Sequence, residues 1–121
     1  MIFDFENLDV YKKAVAWAST VESLGKELRQ KTSYALIDQL TRAALSVPLN
    51  IAEGNGRWHK AEKRQFLWIA RGSTFECIPT LQILHSNGII SKATHSEYRN
   101  QLAEIGKILN GLLKSVERLQ Q

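Results

Sequence analysis

A single cysteine, Cys77, in 121 residues leaves no intrachain partner for a disulfide and no set of thiolates for a zinc site. Two prolines and seven glycines are too few for a disordered or fibrous chain, and no apolar run approaches the roughly 18 residues of a membrane-spanning helix. The opening MIFDFENLD is acidic and lacks the basic-then-apolar order of a signal peptide, so a cytoplasmic protein with no membrane contact is expected. Strand signals are missing too: nowhere does a β-branched, alternating run stand between turn residues.

What is present is a globular composition, 44% apolar and 23% charged, of a length that fits one domain over 1–121. Apolar residues recur at spacings of three and four in four segments. The first, about 7–29, carries Tyr11, Ala14, Ala18, Val21 and Leu28, with Asn7 as its cap. The second, about 33–54, follows a Thr32 or Ser33 cap with Ile37, Leu40, Ala44, Val47 and Ile51. The third, about 60–86, repeats Leu67, Ala70, Thr74, Cys77, Leu81 and Leu84 and stops at the Ser86–Gly88 turn. The fourth, about 91–119, starts from Ser91 and places Tyr98, Leu102, Ile105, Leu109, Leu112, Val116 and Leu119 on one face. Short connections make consecutive helices antiparallel, so the expected fold is all-α, an up-down-up-down four-helix bundle.

Chemical motifs fail one after another. EGNGR is neither a G-x-x-x-x-G-K-[ST] nor a G-x-G-x-x-G phosphate loop, and no strand precedes it. Residues Gly56, Gln82 and Lys92 stand three positions before His59, His85 and His95, so the Glu-x-x-His pairs of a di-metal bundle are missing. No arginine precedes a histidine at the spacing used by small helical ribonucleases. Cys77 falls on the apolar stripe of the third helix, where a small core residue is expected rather than a nucleophile. No catalytic residue, metal ligand or cofactor is therefore assigned, and the chain is expected not to be an enzyme.

Two other features carry information. The net charge of +4 is held entirely by the window 54–75, where Arg57, Lys60, Lys63, Arg64 and Arg71 face one acid, Glu62. On the second helix Gln39, Arg42, Ser46, Asn50, Glu53 and Arg57 follow helical spacing and line one polar face. Asn and Ser are weak helix formers, which distinguishes this face from an ordinary solvated one rich in Lys, Glu and Gln. Pro48 sits inside the same helix and removes the hydrogen bond to the Ala44 carbonyl, for which Arg42, Asn50 or water is a candidate donor. Pro79 poses the same problem for Phe75 in the third helix.

At QLTRAALSVPLNIAEGNGR, followed by EKRQFLWIARGSTFE, the chain resembles the 23S rRNA intervening-sequence protein family, and FENLDVYKKA is similar to that family's start. The likeness runs over essentially the whole chain, with the fourth helix matching in pattern only. Where the family commonly has a Ser or Thr cap three residues before the glutamate, this chain has His59 before Glu62. The resemblance implies an all-helical bundle, homo-oligomeric rings that are often pentamers, and no established catalytic activity. It marks Arg42, Asn50, Glu53, Arg57 and Glu76 as the motif's polar residues.

Together these readings lead to the expectation of a non-enzymatic, oligomeric binding protein. Arg57, Lys60, Lys63, Arg64 and Arg71 would meet the phosphates of RNA or DNA, and Trp58 or Trp68 would stack on a base. The alternative is a protein–protein interaction or structural module without nucleic acid, in which the polar face fixes helix packing or subunit register. A catalytic reading would require Arg42, Glu53 and Glu76 to converge in a pocket.

Overall fold

The three-four apolar spacing is realised as four long helices. The computed structural model describes residues 1–119, which form a 3-10 turn at Asp4–Asn7 and then α1 (Asp9–Leu28), α2 (Tyr34–Gly56), α3 (Lys60–Ser86) and α4 (Lys92–Glu117). No strand occurs among the described residues; Gln120 and Gln121 lie outside them.

Two starts are capped as expected. The Ser33 hydroxyl accepts from the Leu36 amide at 3.4 Å and that of Ser91 from the Thr94 amide at 3.1 Å, serving N–H groups that a first helical turn leaves without partners. The start of α1 differs. The Phe3 amide donates to Glu6 Oε1 at 2.9 Å and closes a tight turn that takes up Asn7, so uncapped Leu8 precedes α1. His59 likewise precedes α3 without a side-chain cap, as its replacement of Ser or Thr implies. At the far end of α3, Gly88 adopts φ 73°, which only glycine takes without strain, and the Ile89 amide donates back to the Leu84 carbonyl at 2.9 Å.

Each helix packs on the next along the chain, and α4 returns against α1. Gly25 near the end of α1 lies beside Ile37 early in α2, Gly54 at the end of α2 lies against Phe66 early in α3, and His85 at the end of α3 stacks on His95 early in α4. Lys13 joins α1 to α4 through Glu104 at 2.7 Å.

The core runs along the bundle axis through Trp17, Val47, Ile51, Leu81, Ile105 and Leu109, all essentially without solvent exposure. The α3 series expected from spacing is buried throughout. On α1 Ala14, Val21 and Leu28 are buried as expected, joined by Val10, Trp17 and Leu24, while Tyr11 and Ala18 are only half-buried. The Trp17 ring meets Tyr98 of α4 edge-on at 5.3 Å, so the largest side chain of α1 sets which face turns inward. Leu119 is exposed.

Candidate functional site

Helix α2 passes through Pro48 unbroken, with Pro48 itself buried beside the small residues Ala43 and Ala44. The donors foreseen for the Ala44 carbonyl go elsewhere. Arg42 Nε donates to Asp38 Oδ2 at 2.9 Å, and Asn50 Nδ2 donates to the Ser46 carbonyl at 2.8 Å and to Ser46 Oγ at 3.0 Å. Ser46 Oγ in turn stands 2.7 Å from Ser73 Oγ of α3. The polar face of α2 is thus half-buried at its centre and forms a seam with α3.

At the end of the seam α2 and α3 approach closely. A Cβ on Gly54 would lie 3.1 Å from Phe66 Cβ. Arg57 Nη2 donates to Glu53 Oε2 at 2.9 Å, its Nη1 stands 3.6 Å from Glu62 Oε2, and its guanidinium lies 4.9 Å over the Phe66 ring. Arg57, Glu53 and Glu62 are all at least two-fifths exposed, so these pairs fix local geometry more than they stabilise the fold. Arg42 and Glu76 are both exposed. The four polar residues of α2 therefore divide into an Arg42–Asp38 pair, an Asn50–Ser46–Ser73 cluster and an Arg57–Glu53–Glu62 cluster.

The cations of the basic window each have a partner within the molecule. Lys60 Nζ donates to the Glu117 carbonyl at 3.0 Å, and Arg64 Nε lies 2.8 Å from Glu117 Oε1, so the start of α3 is tied to the end of α4. Lys63 Nζ donates to the Asn55 carbonyl at 3.2 Å. Arg71 Nε donates to Asn110 Oδ1 at 2.7 Å, and its guanidinium lies 5.2 Å from the Trp68 ring and 4.7 Å from the Phe75 ring. Trp58 stands at the α2–α3 corner with 82% of its surface exposed. Trp68 is half-exposed, on the α4 side of α3 and away from that corner.

Cys77, the chain's one thiol, lies in the core. Burial pushes the Cys77 thiol up to about 11, outweighing the Trp17 indole, which acts in the opposite direction, and Sγ donates to the Ser73 carbonyl at 3.5 Å. Such a thiol is almost wholly protonated at neutral pH and a poor nucleophile. Among the described residues no group of three or more His, Cys, Asp or Glu is placed to hold a metal ion. The His85 and His95 rings stack at 4.7 Å, and burial, with His85 and Arg99 as further causes, holds His95 below the usual histidine value. No described helix is long and apolar enough to cross a membrane.

The chain that forms this seam matches the profile of the 23S rRNA-intervening sequence protein family over residues 6–111. The chain belongs to that family. Its fold is similar to a crystal structure of a protein of unknown function from the S23 ribosomal protein family of Bacteroides thetaiotaomicron, with a TM-score of 0.83 and 24% identity over 87% of this chain and 98% of that one. No protein with a curated description matches it.

In this member of the 23S rRNA-intervening sequence family several participants went unrecognised as site residues in the sequence. Ser73, which completes the seam, and Glu62, on Arg57, lie inside the family motif but come from α3. Glu117, which engages Lys60 and Arg64, is distant in sequence and carried no signal. A further signal was present and unused. Besides its core series, α3 repeats Trp68, Gly72, Phe75, Pro79 and Ile83 at spacings of three and four, and all five are exposed.

Proposed function

We propose that the chain is a non-enzymatic binding protein that associates with copies of itself and offers the α2–α3 corner to RNA or DNA. The observation that carries this reading is Trp58: a tryptophan 82% exposed, next to Arg57 and within six residues of Lys60, Lys63 and Arg64 along the chain, in the window where the net positive charge is concentrated. An exposed aromatic ring stacks on a base of any identity, and neighbouring cations meet the flanking phosphates. The pairs that occupy those cations are compatible with this role. Glu117 is 54% exposed, and an exposed ion pair contributes only about 0–1 kcal/mol, so phosphate oxygens can take its place at small cost. The family name, which refers to an insertion in ribosomal RNA, is consistent with a nucleic-acid context. Self-association would multiply a modest surface on each protomer through effective concentration.

The second reading, a protein-interaction module without nucleic acid, is favoured by the internal partners of Arg57, Lys60, Lys63, Arg64 and Arg71. Titration of single-stranded RNA and DNA with the unmodified chain and with Trp58→Ala separates the two. Binding that weakens about tenfold or more on loss of Trp58 supports the first, the worth of one base–aromatic stack being about 1–3 kcal/mol; no binding by the unmodified chain supports the second.

A further inference from the structure

Lys60, Arg64, Trp68 and Arg71 follow one another on α3 at steps of four, four and three, so they form a line along one side of the helix. Three of them reach across to α4. Lys60 Nζ donates to the Glu117 carbonyl at 3.0 Å, Arg64 Nε stands 2.8 Å from Glu117 Oε1, and Arg71 Nε donates to Asn110 Oδ1 at 2.7 Å. Between these ties an open groove of about 310 Å³ is lined by Trp68 from α3 and by Asn110, Leu113, Lys114 and Glu117 from α4. At the helical rise the line from Lys60, next to the α2–α3 corner, to Arg71 is about 17 Å long.

The groove has the parts of a base site. Trp68 is 51% exposed, and Leu113, at 7%, gives it an apolar floor. The Arg71 guanidinium lies 5.2 Å from the indole and is itself held by Asn110, so ring and amide are set relative to each other before a ligand arrives. With its Oδ1 accepting from Arg71, the Asn110 amide has its N–H groups to offer, and Lys114 is likewise a donor. Glu117, the remaining polar residue of the lining, faces Lys60 and Arg64. Arg64 Nε makes no aligned hydrogen bond there, so this contact is one of charge, which phosphate oxygens can replace.

We infer that the α3–α4 groove is a second subsite for single-stranded nucleic acid: an unpaired base stacks on Trp68, its edge meets the Asn110 amide, and the phosphates between it and Trp58 displace Glu117 from Lys60 and Arg64. This deepens the function proposed above and rests on it. The corner alone takes any base, because a bare indole reads only a π-face. The groove discriminates. Its N–H donors favour a base with carbonyl oxygens at its edge, uracil, thymine or guanine, over adenine, whose amino group is itself a donor.

The test measures fluorescence anisotropy with labelled oligouridine and oligoadenosine of equal length. The unmodified chain should bind oligouridine the more tightly. Trp68→Ala should weaken that binding about tenfold or more and leave its salt dependence unchanged, since stacking involves no charge. Asn110→Asp keeps an acceptor for Arg71 but removes the donor, and should lower the uridine-to-adenosine affinity ratio several-fold; the added charge cancels in the ratio. Both residues are exposed, and a helical circular dichroism spectrum checks the fold. Should Trp68→Ala lose that spectrum, Trp68→Gln replaces it. A chain that binds neither strand would overturn the corner and the groove together. Binding that weakens with Trp58→Ala but not with Trp68→Ala would keep the corner and overturn the groove. Equal affinity for the two strands, or a ratio that Asn110→Asp leaves unchanged, would overturn the placing of the base edge at Asn110.

Discussion

The hydroxyl oxygens of Ser46 on α2 and Ser73 on α3 lie 2.7 Å apart, and Asn50 donates to the first of them from one turn along α2. Ser73 is only 6% exposed, so this cluster satisfies polar groups that the packed α2–α3 interface would otherwise strand.

Removing a member of the cluster should therefore lower stability without altering helix content. Asn50→Ala is expected to cost about 1–2 kcal/mol, and Ser73→Ala about 1 kcal/mol, in urea unfolding. The double variant should lose less than the sum, by at least about 0.5 kcal/mol, because the two residues share Ser46. Strict additivity would mean that the cluster is a set of independent contacts.

Two glycines of EGNGR should respond in opposite directions to alanine. At Gly54 the new Cβ would stand 3.1 Å from Phe66 Cβ and 3.5 Å from the Lys63 carbonyl, neither of them the free end of a flexible side chain. Gly54→Ala is expected to destabilise by about 1–2 kcal/mol despite the better helix propensity of alanine. At Gly56 nothing lies within 4 Å, and Gly56→Ala should be neutral or stabilising by up to about 1 kcal/mol. Thermal melts of the pair decide whether α2 and α3 approach as closely as described.

The stacked His85 and His95 rings make a pH prediction. His95 is held below its ordinary value of 6.5, so between that value and its lower folded value the unfolded chain binds more protons than the folded one. The stability contributed by neutral His95 is complete above 6.5 and is lost as pH falls through that window. Denaturant midpoints of the unmodified chain and of His95→Gln should therefore converge, or cross, between pH 7.5 and pH 5. A constant difference between them would remove His95 as the cause.

Much of the fold was legible because core burial imposes a period on sequence. The α3 series from Leu67 to Leu84 and the Ser33 and Ser91 caps follow from spacing and hydrogen-bonding chemistry alone. The inward turn of Trp17 did not, since it depends on Tyr98 from α4, far along the chain. The site was legible in part: Asn50, Glu53 and Arg57 stand out by residue type on one helical face. Their partners Ser73 and Glu62, and Glu117 on Lys60 and Arg64, depend on how helices are set side by side, which no local pattern encodes. Arg42 fell on the same face by periodicity but pairs with Asp38 within its own helix.

Glu117 offers a direct handle on the basic window. Glu117→Gln removes the carboxylate that faces Lys60 and Arg64 while retaining the backbone carbonyl that Lys60 also uses. Affinity for single-stranded RNA at low salt should rise a few-fold, with a steeper dependence on salt. Unchanged affinity would show that these two cations take no part in binding.

The central claim, that the α2–α3 corner contacts nucleic acid through its charges, is tested most directly by titrating the unmodified chain with single-stranded RNA at about 50 and 200 mM salt. About four phosphate contacts, one each for Arg57, Lys60, Lys63 and Arg64, predict an affinity loss of about fifty-fold between the two. Absence of binding at the lower salt, or binding indifferent to salt, would contradict it.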